Sequence, residues 1–315
     1  MWIKRGLAAA VALVATTTLC QAEDFPSKPL TLVVPWPAGG LSDVMARTMQ
    51  PFLEEELGQT VVVVNKVGGG AAVGSSAVAR ADDGGYTIGM IHEPPLAAHT
   101  LKGTAPYALD DLKMLGLLNY DAAAVAVPKD SPLTSAADFV AAWKAGELKV
   151  GVPGGRLTSD DSLAYFLLAQ AAEVDREPVP FQGFGPLETA FAGGHVGAVV
   201  SNVGLFARRP DLYKVLLVMD SERSKYFPEV PTASEAGYDV VFGAWRGLGV
   251  SASVPDETLA RLREAVRAIA TDPKALAAFE EIKAPISFAS GGDFDKQLRA
   301  GADQQRMLYE RLGGS

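Results

Sequence analysis

Apolar residues recur along this chain in two rhythms. Leu30-Thr31-Leu32-Val33-Val34, Thr60-Val61-Val62-Val63-Val64 and residues 86–91 are short β-branched runs, the mark of buried strands. Between them the spacing turns helical. One helix is predicted over residues 42–53 and on toward Gly58, through Arg47, Met49, Phe52 and Leu53, with Pro51 set to kink it or split it in two. A second covers residues 73–81, and Asp82-Asp83-Gly84-Gly85 is a turn. Strand–helix–strand–helix–strand alternation predicts an α/β fold with a doubly wound, mostly parallel sheet. Ligands of such sheets sit beyond the carboxyl ends of the strands. Those ends fall at residues 37–42, 66–72 and 92–95.

From about Leu112 the texture changes. Residues 115–127 form a long apolar segment interrupted by Asn119, Tyr120 and Asp121. Helices are predicted at 135–145, 162–172, 185–191, 255–270, 273–283 and 293–312. Strands are predicted at 147–152, 179–181, 196–201, 216–219 and 245–251, the last returning to the first half of the chain. The expected division is 1–22, a leader; 23–121, the first part of domain 1; 122–223, domain 2; and 224–315, the second part of domain 1.

Two loops share one logic. In Pro35-Trp36-Pro37-Ala38-Gly39-Gly40-Leu41-Ser42-Asp43 a strand is stopped by prolines, glycines free the backbone, and Ser42 or Asp43 is placed as N-cap of a helix. Backbone N–H groups and the helix dipole then converge on one spot, which suits an anion. Pro153-Gly154-Gly155-Arg156-Leu157-Thr158-Ser159-Asp160-Asp161-Ser162 repeats the pattern in the second half. One such loop per half points to a ligand cleft between two α/β lobes, the arrangement of hinge-closing binding proteins.

The chain has 315 residues, 48% hydrophobic, enough for two cores. Lys4 and Arg5, then small and apolar residues to Leu19, then Cys20-Gln21-Ala22, read as a secretory leader cleaved after Ala22. Leu19 is too bulky before Cys20 for the usual lipid-anchor pattern. Cleavage would take away the single cysteine and move the formal charge from −9 to −11. An acidic chain without a basic tract excludes nucleic acid as a partner. The expected location is the periplasm.

The order and spacing of several pieces resemble the substrate-binding proteins of tripartite tricarboxylate transporters, the Bug or TctC family. These pieces are Pro26-Ser27-Lys28-Pro29 with the first strand and loop; Leu57-Gly58-Gln59; Val73-Gly74 through Ala79-Arg80-Ala81; Asp83-Gly84-Gly85-Tyr86-Thr87; Gly193-Gly194-His195-Val196; Phe227-Pro228-Glu229-Val230-Pro231-Thr232 with Glu235-Ala236-Gly237; and Trp245-Arg246-Gly247-Leu248. The resemblance implies a monomeric, two-domain receptor of type II-like periplasmic fold that uses no cofactor. It captures a small organic carboxylate in the cleft and delivers it to two integral membrane subunits. Mapped onto this chain, the first jaw is Trp36, Ala38, Gly39, Gly40, Leu41, Ser42 and Asp43, with Gly70 and Ala71 beside it. The second is Thr158, Ser159 and Ser162, with Gly183 and Asn202 on the hinge-side wall. Two departures stand out. Ser162 replaces a histidine common in the family, with Asp160 and Asp161 before it, and His92-Glu93 stands where small hydroxyl residues are usual. His92 and Glu93 are then placed to tune the far end of an atypical carboxylate, one with an amino group or an aromatic ring. Arg156 either grips a carboxylate through its fork or is a solvated loop arginine.

Other chemistry finds little footing. His92, Glu93 and His99 lack the helical spacing of a metalloprotease pair, and no Gly-x-Ser-x-Gly elbow, phosphate loop or dinucleotide fingerprint is present, so neither a metal site nor an enzyme is expected. Trp36, Phe184 and Trp245 are candidates to line the cleft, against core packing as the alternative. An exported sensor that presents its bound state to a signalling partner would carry the same cleft.

Overall fold

The computed structural model describes residues 25–311; the leader read at 1–22 lies outside the described residues. Strand β1 (Leu30–Val34) is buried on both faces, as a central parallel strand must be, and pairs in parallel with β2 (Val61–Asn65) and β3 (Thr87–Glu93). Helices α1 (Leu41–Leu57) and α2 (Ala72–Ala79) make the crossovers. Pro51 lies on the exposed side of α1 and the helix runs on through it as one element. Helix α3 (Pro95–Leu101) follows β3. Pro94 and Pro95 open this helix, and proline is tolerated where a helix begins because its missing N–H has no intrahelical role there.

One strand organises the rest. β4 (Leu112–Pro128) is 17 residues long and nearly all buried. After helix α4 (Ala136–Ala145) come β5 (Val150–Pro153), α5 (Asp160–Ala171), β6 (Val179–Phe181), α6 (Phe184–Ala192), β7 (Ala198–Asn202), α7 (Val203–Ala207) and β8 (Tyr213–Met219). The chain returns through β9 (Gly243–Ser251) and closes with α8 (Asp256–Thr271), α9 (Pro273–Glu281), β10 (Ala289–Ser290) and α10 (Gly291–Arg311). The sheet order is β2-β1-β3-β9-β4-β7-β5-β6, with β8 and β10 also on β4. Each half keeps a parallel core, β2-β1-β3 or β6-β5-β7, while β4 and β9, which tie the halves together, run antiparallel to their neighbours. Between Ala122 and Ala123 β4 changes partners, from β9 on one side of that point to β7 and β8 on the other.

Each half has its own core. Leu30, Leu32 and Val34 of β1 pack with Met45, Met49 and Leu53 of α1 and with Leu262, Val266 and Ile269 of α8. In the other half Val125, Phe139, Trp143, Val152, Tyr165 and Leu217 pack together, and Trp143 Nε1 donates to the Tyr165 hydroxyl at 3.1 Å. Each fully buried Leu, Val or Phe contributes about 1.5–3 kcal/mol.

The start of α1 corrects the expectation of a Ser42 or Asp43 cap. The N-cap is Gly40, and no side chain caps the helix. Asp43 faces back under the loop instead, accepting from Gly39 N–H at 2.9 Å, Asn65 Nδ2 at 2.9 Å and Arg47 Nε at 3.1 Å. Asn65 also donates to the Trp36 carbonyl at 2.9 Å, so one buried carboxylate and one amide fix the loop from beneath.

Candidate functional site

Strand register decides what enters the cleft. His92 of β3 lies opposite Arg246 of β9, and Arg246 lies opposite Asn119 of β4. The next row is Glu93, Trp245 and Tyr120. Successive strand residues point to opposite faces, so the two rows serve two different spaces. His92 and Arg246 line a cavity between the halves, whereas Glu93, Trp245 and Tyr120 line another of about 400 Å³ under α10.

Arg246 is only 2% exposed, and a charge so buried needs partners. Nη1 donates to Asn119 Oδ1 at 3.2 Å and Asp121 Oδ2 at 3.4 Å, and Nη2 donates to Asn202 Oδ1. Asn202 Nδ2 passes the chain of bonds to Asp160 Oδ2 at 3.1 Å. Asp121 Oδ1 accepts from Gly204 N–H at 3.0 Å. This network runs from the middle of the sheet to the first turn of α5 and joins the two halves at the back of the cleft.

The front is a pair of jaws. One is the loop through Pro37, Ala38, Gly40, Leu41 and Ser42. Because α1 has no side-chain cap, its first N–H groups, which have no partner inside the helix, are left to whatever occupies this space. The other jaw presents Asp160 and Asp161 of α5, Ser201 and Asn202 at the end of β7, and Gly183 and Phe184 at the start of α6. The space between the jaws is about 60 Å³. Gly183 (φ +113°) faces Pro37 so closely that a Cβ there would sit 3.1 Å from Pro37 Cγ. The start of α5, unlike that of α1, has a side-chain cap. Ser159 Oγ accepts from Ser162 N–H at 3.1 Å and donates to the Pro153 carbonyl at 2.6 Å, and Ser162 Oγ donates to the Gly155 carbonyl at 2.9 Å.

Burial governs the electrostatics. It pushes His92 down to about 3, with Asp160 opposing the shift and Arg246 adding to it, so the imidazole is neutral. Burial raises Asp121 to about 6 although Arg246 and Gly204 N–H pull the other way. Asp161 is lifted well above the usual carboxylate range, first by burial and then by the charge of Asp160. Several buried atoms have no hydrogen-bond partner: Trp36 Nε1, both ring nitrogens of His92, Asp161 Oδ1, Ser201 Oγ and Arg246 Nε. These belong to residues that line the cavity, whereas Arg208 Nε and Gln305 Oε1, likewise without a partner, do not.

The expected site residues separate accordingly. Trp36, Ala38, Gly40, Leu41, Ser42, His92, Gly183 and Asn202 meet around the cleft cavity. Gly70, Ala71 and Thr158 line a neighbouring space of about 290 Å³, where His99 Nε2 bonds the Gly70 carbonyl at 2.7 Å. Gly39 and Asp43 brace the first loop from behind, while Ser159 and Ser162 spend their hydroxyls on the second. Arg156 is half exposed, 3.4 Å from Glu177 and over the Phe166 ring. Glu93 is turned to the opposite face, where Gln305 of α10 bonds it, and Trp245 goes with it. Sequence reasoning missed Arg246, Asp121 and Asn119. Their signal was polarity inside otherwise apolar runs, since a charged residue is seldom buried in a strand unless paired.

Residues 45–299, well over half the chain, match the model of the tripartite tricarboxylate transporter family receptor. BugT of Bordetella pertussis is 31% identical over 230 residues, 71% of each chain. A TctC solute-binding protein from Polaromonas, solved without ligand, is 30% identical, with a TM-score of 0.69 over 91% of this chain and 99% of its own. MatC of Rhodopseudomonas palustris, solved with bound malate, shares the fold at 24% identity, with a TM-score of 0.82 over 90% of this chain and 99% of its own. By sequence and by fold, this chain belongs to the tripartite tricarboxylate transporter family of receptors.

Proposed function

We propose that this receptor works in the periplasm, takes a small organic carboxylate into the cleft cavity, closes on it and presents it to two integral membrane transporter subunits. The uncapped start of α1 carries the reading. Its first-turn N–H groups, the Trp36 indole N–H and the Ser42 hydroxyl are donors grouped around one enclosed space, with no acceptor of their own helix to take them. A carboxylate would supply the missing acceptors, and MatC, which shares the fold, holds malate. In this reading residues 23–121 and 224–315 form one jaw and residues 122–223 the other. The change of strand partners between Ala122 and Ala123 supports a hinge there. Among the described residues no helix is long and apolar enough to cross a membrane, consistent with membrane subunits being separate chains.

The test is to identify cargo. Protein purified from cells without added ligand is denatured, and the released small molecules are identified by mass spectrometry. The expected finding is one small carboxylate in near-stoichiometric amount. A sugar or a metal cation in its place overturns the reading.

A further inference from the structure

The two helix starts that meet in the cleft are finished differently, and the difference describes the cargo. The start of α1 is open and donates. The start of α5 is closed by Ser159 and carries two carboxylates of its own, Asp160 and Asp161, 2% and 7% exposed. The place where a second anionic group of the ligand would sit is thus filled by the protein's own acids.

Those acids lack a cation. Arg246 is engaged by Asp121, Asn119 and Asn202. Among the described residues no Lys or Arg nitrogen comes within ion-pair distance of Asp160 or Asp161; only the neutral His92 does, at 3.6 Å from Asp160. Asp161 Oδ1 is buried with no hydrogen bond of ordinary geometry, its one polar support there being the neighbouring Ser201 hydroxyl, and both residues line the cavity. Two adjacent buried carboxylates with no Lys or Arg at ion-pair distance are costly, the charge of Arg246 offsetting only part of that, and a cation that enters between them lowers the cost. Donors stand on one wall and unsatisfied acceptors on the other.

On the reading above that the cargo is a carboxylate, we propose that it is a compact amino-carboxylate whose ammonium group seats against Asp160 and Asp161 while its carboxylate faces the start of α1. An aromatic ring fits this space less well than a compact chain does, because the space is about 60 Å³ and the unpartnered atoms around it are polar.

The experiment is calorimetric titration of the full-length mature protein with matched sets: alanine, β-alanine, propanoate and malonate; then γ-aminobutyrate, butyrate and succinate. At least one amino member is expected to bind ten or more times tighter than its plain and dicarboxylate counterparts, about 1.4 kcal/mol or more. Asp161→Asn is expected to cut that preference at least tenfold. The proposal is overturned if malonate or succinate binds tighter than every amino member of its set, or if the preference survives Asp161→Asn. The wild-type comparison alone decides the matter should the variant fail to fold. Plain carboxylates binding with no amino preference overturns only this inference. Binding of none of the seven, with a sugar or metal ion bound instead, overturns the carboxylate reading as well.

Discussion

Asp43 shows how an acid can serve the proposed anion site without touching the anion. Burial would raise its carboxyl, but bonds from Arg47, Gly39 and Asn65 outweigh that and hold it below the usual range, so it stays ionised and keeps the loop in place. Asp43→Ala strands those donors, at about 1–3 kcal/mol for each that cannot turn to water. The variant should melt at lower temperature and bind its carboxylate more weakly by tenfold or more, as read by thermal melting and calorimetry. Unchanged affinity would mean that the loop holds its shape without this brace. Asp161 carries the opposite lesson. Burial and the charge of Asp160 favour its protonated form, and a seated ammonium would favour the ionised one. Affinity for an amino-carboxylate should therefore rise with pH through the titration of Asp161, with Asp160, Arg246 and His92 facing the same space and Asp121 paired to Arg246. Affinity for a plain carboxylate should not. Calorimetry in two buffers of different ionisation enthalpy measures the released proton directly.

At the scale of elements, Gly183 and Glu93 mark two contacts that set the cleft. Gly183 holds a left-handed backbone and lies against Pro37 across the jaws. Gly183→Val adds both backbone strain and a clash, so the jaws should stay apart. The expected result is a larger radius of gyration in the presence of ligand and affinity lower by tenfold or more; full closure by small-angle scattering would contradict it. Glu93 ties β3 to α10, accepting from Ala97 N–H at 3.2 Å and bonding Gln305. Burial pushes it up to about 8, so the folded protein keeps a proton that the unfolded chain releases near 4.5. Folded protein then binds more protons than unfolded over that window, and stability declines as pH rises from about 4.5 to about 8. Glu93→Gln should be close to wild type at about pH 5 and more stable than it at about pH 9, measured by urea unfolding. An equal loss at both values would contradict a protonated Glu93.

These elements also show what the sequence could reveal. β1, β2, α1 and the two glycine-rich loops were legible because their patterns are local: period, proline and paired glycine within a dozen residues. The cap of α1 was misread because Asp43 stands where a cap would, and only the position of Asn65, on another strand, shows which way its carboxylate turns. Arg246 escaped for the same reason. Its role comes from lying between His92 and Asn119, from strands far apart in the chain, and register of that kind is fixed by tertiary pairing. Glu93 followed His92 into the expected site by sequence adjacency, and strand alternation separates them.

For the whole molecule the formal charge is −9, which would repel an anion at a distance. Screening limits that repulsion to about 10 Å at 0.1 M salt, so the donors at the start of α1 decide binding once a ligand reaches the cleft. A ligand that binds only the closed form also holds both halves of the sheet together, and its binding energy appears as stability. The most direct measurement is thermal unfolding against a panel of small carboxylates, with neutral sugars and divalent cations as controls. A carboxylate present at about 100 times its dissociation constant should add about 2.7 kcal/mol, a clear upward shift of the melting temperature, while the controls leave it unchanged. A shift with a sugar or a cation and with no carboxylate would contradict the account.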